Sequence, residues 1–278
     1  MRVLLALLAT GALAGCGSDS TTGPGNAPPA PTDLTSTSLD GAVALTWSDN
    51  AFEADPGNFS SYVVYSTSYD LDQDRCGTSW SIEGTTVAPE FIVGAMTNGV
   101  SRCFEVTATS PSAAESGPSP VRNDTPRPDA RNVVVFARQA QNAGSGFSFW
   151  QDLNSSGSVN ANELGLVLDG TDASADFTVE RDINGTLFLT PARAGVTVAL
   201  YGSVAVEDLT SIDIAPLNGF DASGLEALPG WGYVFEMPGT QFVQYGAVRV
   251  THVGQNFLIL DWAYQTDPGN PELVVGRK

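Results

Sequence analysis

The sequence predicts an all-β chain made of two successive domains, and three observations predict it. Short apolar–polar alternations recur along the chain with turn signals between them, the pattern of half-buried strands at the spacing of a β-sandwich. The pattern changes character once, around the Pro- and Asp-rich stretch "PSPVRNDTPRPDARN" at 118–132, expected as a hinge. The length of 278 residues lets each of two domains bury its own core.

The chain opens Met1-Arg2, runs through "VLLALLATGALA" and reaches Gly15-Cys16. One positive charge, an apolar core of about a dozen residues and small residues before a polar stretch describe a signal peptide, too short to span a bilayer. The tetrad Leu13-Ala14-Gly15-Cys16 resembles the lipobox of bacterial lipoproteins. That resemblance implies removal of residues 1–15, a diacylglyceryl group on the Cys16 thiol, and a mature chain held at the cell envelope by lipid. It also implies the outer membrane, because Gly17 stands where inner-membrane lipoproteins typically carry aspartate. An ordinary signal peptide followed by a chance cysteine is the competing reading. Residues 16–29, dominated by Ser, Thr, Gly and Pro, hold too little apolar surface to fold and are expected to form a flexible tether.

With Cys16 lipidated, Cys76 and Cys103 remain. An exported chain meets an oxidising compartment, so these two are expected to form a disulfide rather than a metal site.

In the first domain, residues 30–126, strands are expected within "AVALTWSD" (42–49), "SSYVVYSTS" (60–68), "TSWSIEG" (78–84), "EFIVGAM" (90–96) and "RCFEVTATS" (102–110). The run from "APTDLTSTSLDGAVALTWSD" through "YVVYSTS" and "TNGVSRCFEVTATS" to "ESGPSPVRNDTP" resembles a fibronectin type III domain. The resemblance implies a β-sandwich in which Trp47, Tyr62, Val64, Phe104 and Val106 point into the core. The family usually has tyrosine where this chain has Arg102, so the hydroxyl that braces that corner is missing. Cys103 has the opposite parity to Phe104 and should face outward, where a bridge to Cys76 would replace the brace.

Residues 131–278 carry no second fibronectin copy. Strands are expected in "NVVVFAR" (132–138), "GFSFW" (146–150), "LGLVL" (164–168), "ADFTVE" (175–180), "GTLFLT" (185–190) and "VTVALYGSVAV" (196–206). Three more, "GYVFEM" (232–237), "FVQYGAVRVTHV" (242–253) and "NFLILDWAYQ" (256–265), are separated by Pro238-Gly239 and Gly254-Gln255 and should form an antiparallel meander. "FDASGLEAL" (220–228) is expected to form a short helix capped by Asp221 or Ser223. The second domain is thus a mostly antiparallel β domain.

Charge narrows the partners. The formal net charge is −19, from 31 acidic and 12 basic residues, with no basic cluster. Such a field repels phosphate backbones and anionic headgroups and argues against nucleic-acid binding. The single lysine, Lys278, leaves no candidate for a Schiff base or a P-loop.

The best candidate for chemistry is "DLNSSGSVNANE" at 152–163, which resembles the calcium loop of EF-hand and dockerin-like proteins. Aligned on that loop, Asp152, Asn154, Ser156, Ser158, Asn160 and Glu163 occupy ligand positions 1, 3, 5, 7, 9 and 12, with Gly157 at the turning position 6 and Val159 at 8. Calcium is the cofactor such a loop would hold, weakly, because only Asp152 and Glu163 are charged. A metal-free Asn/Ser/Gly turn between strands is the competing reading, since "GFSFW" before the loop alternates like a strand. "DLDQD" (Asp70, Asp72, Asp74) puts Arg75 where glycine is wanted and Ser81 where glutamate is wanted, so it reads as a solvated loop, as does "DNAFEADPGN" at 49–58.

Catalytic patterns are sparse. The one histidine, His252, sits at a strand end and is expected to be structural; no Gly-x-Ser-x-Gly elbow accompanies it. A glycosidase carboxylate pair stays open, because sequence spacing does not reveal it. Among the C-terminal aromatics Trp231, Tyr233, Tyr245, Trp262 and Tyr264, the face formed by Leu258, Leu260, Trp262 and Tyr264 is expected to be core. The function expected is a non-enzymatic, lipid-anchored binding, adhesion or display module with a protein or carbohydrate ligand and no nucleic acid. Its rivals are an envelope polysaccharide hydrolase or accessory subunit, and a structural envelope component. A binding module is expected to show an exposed aromatic or acidic patch and no buried ionisable pair in residues 131–278.

Overall fold

The computed structural model describes residues 27–70, 73–157 and 159–273. Cys16, the leader and most of the tether lie outside the described residues, as do Asp72 and Ser158.

The first domain follows from its alternating pattern. Its strands are β1 (Thr35–Leu39), β2 (Ala42–Thr46), β3 (Ser61–Asp70), β4 (Arg75–Cys76), β5 (Ser81–Thr86), β6 (Glu90–Val93), β7 (Arg102–Thr109) and β8 (Arg122–Asp124). One sheet has the order β1-β2-β6; the other has β3 between β7 and the β4 and β5 strands, with β8 outside β7. The two sheets pack face to face as a β-sandwich. Val43, Leu45, Trp47, Tyr62, Val64, Phe104 and Val106 fill the space between the sheets. The five residues expected inward are all there, because a period of two keeps every second side chain on the same face.

Two segments depart from expectation. The acidic stretch at 49–58 folds as a short helix, α1 (Asn50–Ala54), followed by a 3-10 turn (Pro56–Asn58). Burial of Ala51, the edge contact of Phe52 with Phe59 and the tilted contact of Phe59 with Tyr62 outweigh its polar composition. The stretch expected as a hinge is also structured. β8 lies within it, residues 124–128 are buried, and the amides of Gly99 and Arg127 donate to Pro126 O and Leu39 O at 2.8 and 3.1 Å.

The second domain comprises β9 (Asp129–Phe136), β10 (Gly146–Trp150), β11 (Leu164–Leu168), β12 (Phe177–Arg181), β13 (Leu187–Pro191), β14 (Thr197–Tyr201), β15 (Leu225–Glu226), β16 (Gly232–Met237), β17 (Gln244–Val253) and β18 (Phe257–Tyr264). They form two five-stranded antiparallel sheets, β11-β10-β12-β13-β15 and β14-β16-β17-β18-β9. Both turns of the β16-β17-β18 meander form as expected. The core between the sheets is aromatic. Phe147, Phe149, Phe177 and Phe235 make ring contacts of 4.7 to 6.0 Å with one another, and Trp262 and Tyr264 close the stack. Leu258, Leu260, Trp262 and Tyr264 share this core face. On the far face of the second sheet, Leu209, Ile212 and Leu273 cover Val234, Ala247 and Ala263.

The helix expected at 220–228 is absent. The Asp221 carboxylate caps only a local turn, accepting the Ser223 amide at 2.7 Å, while Asp221 and Val198 exchange backbone hydrogen bonds at 2.8 and 3.0 Å. Leu225 and Glu226 then pair with Leu189 and Phe188. Sheet partners on both sides satisfy the backbone that an isolated short helix would leave open. Gly165 is fixed by packing: its φ is +61°, and a Cβ there would overlap the Trp262 indole.

Candidate functional site

The disulfide comes first, because it shapes the edge of the first domain. Cys76 and Cys103 are bonded, with Cα atoms 5.9 Å apart and a sequence separation of 27. Beside the bridge, Arg102 donates to the Ser66 hydroxyl and pairs with Glu83 at 3.4 Å. The corner that lacks tyrosine is therefore braced by a covalent bond and an ion pair.

The 152–163 segment folds back on itself as a closed loop. Gln151 N–H donates to Glu163 O at 2.9 Å, joining its two ends. Asp152 accepts the Ser156 amide on Oδ1 at 2.9 Å and the Gly157 amide on Oδ2 at 2.8 Å; Asn154 Oδ1 also accepts the Ser156 amide at 2.9 Å. Gly157 takes the φ of +68° that the turning position needs. Glu163 ends a 3-10 turn (Ala161–Glu163) and is wholly buried. Its Oε2 accepts the Asn160 amide and side chain at 3.2 and 3.1 Å, while its Oε1 is buried without a hydrogen-bond partner. Oxygen donors at alternate positions and a carboxylate oxygen left over at position 12 fit a hard cation such as calcium. Among the described residues no three His, Cys, Asp or Glu side chains converge, so Asn and Ser oxygens would have to complete the shell. The other acidic run folds locally: Asp70 caps the Gln73 amide at 3.1 Å and Asp74 accepts the Tyr69 hydroxyl at 2.5 Å.

A cleft of about 1120 Å³ opens next to this loop, where the two domains meet. Asp152, Gly157 and Val159 form one side; Trp150, Asp176, Arg193, Tyr264 and the 237–244 connection form the rest, with Thr97 and Asn98 contributed by the first domain. Asp176 is 1% exposed and holds Arg193 with Oδ1 at 2.7 Å from both Nε and Nη2. Its Oδ2 accepts the Phe149 amide at 2.8 Å and the Ser148 hydroxyl at 3.2 Å. Burial pushes the Tyr264 hydroxyl up, and the Asp176 charge adds to this against Arg193 and Gln244. Trp150 Nε1 and Thr266 Oγ1 are buried atoms with no hydrogen-bond partner among the described residues. Phe242, 59% exposed, stands at the mouth.

Asp176 is buried and Arg193 half-buried, so their pairing departs in part from the expectation that a binding module would hold no buried ionisable pair. It was invisible in sequence because the partners lie on different strand ends and neither belongs to a motif. Phe242 had no signal either, since it reads as the first apolar residue of a strand that begins only at Gln244. His252 is exposed on β17 with its ring 5.8 Å from that of Phe257, away from the cleft lining. Among the described residues no helix is long and apolar enough to cross a membrane.

Fold and site together define a two-sandwich β module with a cleft at the domain junction. No family model and no curated protein matches the chain. Among solved structures, 35% of the chain is similar to 91% of a Fn3-like protein from Clostridium thermocellum, with 20% identity and a TM-score of 0.27. A further likeness covers 42% of the chain and 92% of the fourth FNIII domain of a human protein, with 16% identity and a TM-score of 0.29. A third covers 85% of the chain and 99% of a DUF4466 family protein from Parabacteroides merdae, with 12% identity and a TM-score of 0.38.

Proposed function

We propose that the protein is a lipid-anchored surface module of a bacterial cell envelope, attached through Cys16, that binds its ligand without chemical turnover. The observation that carries the binding half is the junction cleft, which combines concave shape, aromatic walls and a fixed guanidinium, the ordinary makings of a ligand site. In this reading the fibronectin-type sandwich is a spacer, and Thr97 and Asn98 are its contribution to the site. Calcium, held by Asp152, Asn154, Ser156, Ser158, Asn160 and Glu163, stiffens the wall beside Trp150. A hydrolase would need a free carboxylate pair across the cleft. Asp176, the most buried carboxylate there, is instead committed to Arg193, Phe149 and Ser148.

Fractionation of a Gram-negative host expressing the full chain tests the display half. Wild type should sediment with outer membranes, and Cys16→Ser should be released to the soluble fraction. Wild type in the soluble fraction, or Cys16→Ser still on the membrane, would overturn the anchor.

A further inference from the structure

We propose that the junction cleft takes a neutral oligosaccharide segment, an assignment that rests on the reading of this cleft as the binding site. Charge selects against the alternatives. The lining carries three carboxylates, Asp152, Asp176 and Asp267, against one guanidinium, Arg193, within a chain of net charge −19, so an anionic ligand enters against the field. A cationic ligand finds those carboxylates already engaged. Asp176 is neutralised by Arg193, and Asp152 belongs to the calcium loop proposed above. Asp267 accepts the Asn270 side chain at 3.4 Å, with burial pushing its carboxyl up.

What remains suits a ligand that brings many donors and acceptors on an apolar frame. Asn98, Thr240, Gln241 and Gln244 supply neutral polar groups around the opening. Trp150 and Phe242 supply the faces on which the C–H side of a sugar ring can lie. Trp150 Nε1 and Thr266 Oγ1 are buried polar atoms that the described residues leave unsatisfied. Buried polar groups without partners are rare and costly, and hydroxyl groups of either sense can meet them with small wall adjustments. The cleft volume exceeds that of an ordinary small-molecule pocket, consistent with several linked rings.

Isothermal titration of the full chain, in calcium, against cellohexaose, maltohexaose, xylohexaose and an oligogalacturonate of equal length tests the assignment. At least one neutral hexaose should bind and the oligogalacturonate should not. Phe242→Ala, at an exposed position, should weaken binding about tenfold with an unchanged melting temperature. Gln244→Ala should weaken it as well. Oligogalacturonate binding that falls with Phe242→Ala would keep the cleft as a site and overturn the neutral class. Neutral hexaose binding indifferent to both substitutions would overturn the cleft. Failure of every neutral hexaose to bind would overturn the assignment while leaving the Cys16 anchor untouched.

Discussion

Asp176 holds Arg193 through one carboxylate oxygen placed 2.7 Å from two guanidinium nitrogens, and anchors itself to the β10 backbone through the other. This fixes a cation at the wall of the junction cleft and leaves a buried carboxylate dependent on it. Arg193→Met should therefore destabilise the second domain by about 2–4 kcal/mol, because the carboxylate stays buried without its countercharge. Asp176→Asn should cost less, since it removes the buried charge while keeping a side chain of the same shape. Urea melts of the two variants check the order; equal or reversed costs would contradict it.

Calcium binding at 152–163, as proposed, predicts a linkage. At a calcium concentration ten times Kd, a bound ion adds about 1.4 kcal/mol to stability, which appears as a higher melting temperature relative to chelator. Glu163→Gln, which alters the buried carboxylate with an unpartnered oxygen, should abolish the difference. A midpoint unchanged between chelator and tens of millimolar calcium removes the ion from the account.

Reducing the Cys76–Cys103 bridge, or replacing both cysteines by serine, should destabilise the first domain by about 3 kcal/mol in the chain-entropy description. Calorimetry with and without reductant measures this. The second domain holds neither cysteine of the bridge, and its transition should move little.

Gly165→Ala tests the packing of β11 on the indole of Trp262. The left-handed φ and the overlap act together, so the cost should exceed about 2 kcal/mol and a near-neutral effect would contradict the geometry.

Acid should loosen the clasp between Arg131 and Asp208, whose closest approach is 2.9 Å. Burial works against ionisation of Asp208, but the Thr210 amide and hydroxyl and the Arg131 guanidinium bring it down to about 2. The folded value lies below the unfolded one of about 3.9. The contribution is therefore fully present above pH ~4 and is lost as pH falls through about 2. Asp208→Asn should flatten stability against pH across that window alone.

Strands were legible in this sequence where a short apolar run lay between turn residues, even in β10 and β16, which are buried on both faces. "GFSFW", "LGLVL" and "GYVFEM" coincide with β10, β11 and β16 to the residue. The inward set of the first sandwich came from the resemblance to fibronectin type III domains, and the period of two keeps it on one face. Polar composition misled at 49–58, where Ala51 and Phe59 bury a helix that its acidic residues hide. It misled again at the junction. Arg127 lies 1% exposed in a stretch of Pro, Arg and Asp that reads as solvent-facing linker. The 220–228 segment had a helix cap but lacked the length to outcompete its sheet partners. Of the cleft, only the 152–163 loop had a local pattern. Asp176, Arg193 and Phe242 come together through pairings that no short window contains.

The central claim is that this module is displayed from a membrane by a lipid on its first mature residue, and intact-mass analysis of the chain purified from membranes tests it most directly. The account predicts a chain beginning at Cys16 and heavier than its amino acids by a diacylglyceryl group. A chain that keeps residues 1–15, or one that begins elsewhere with an unmodified Cys16, would contradict it.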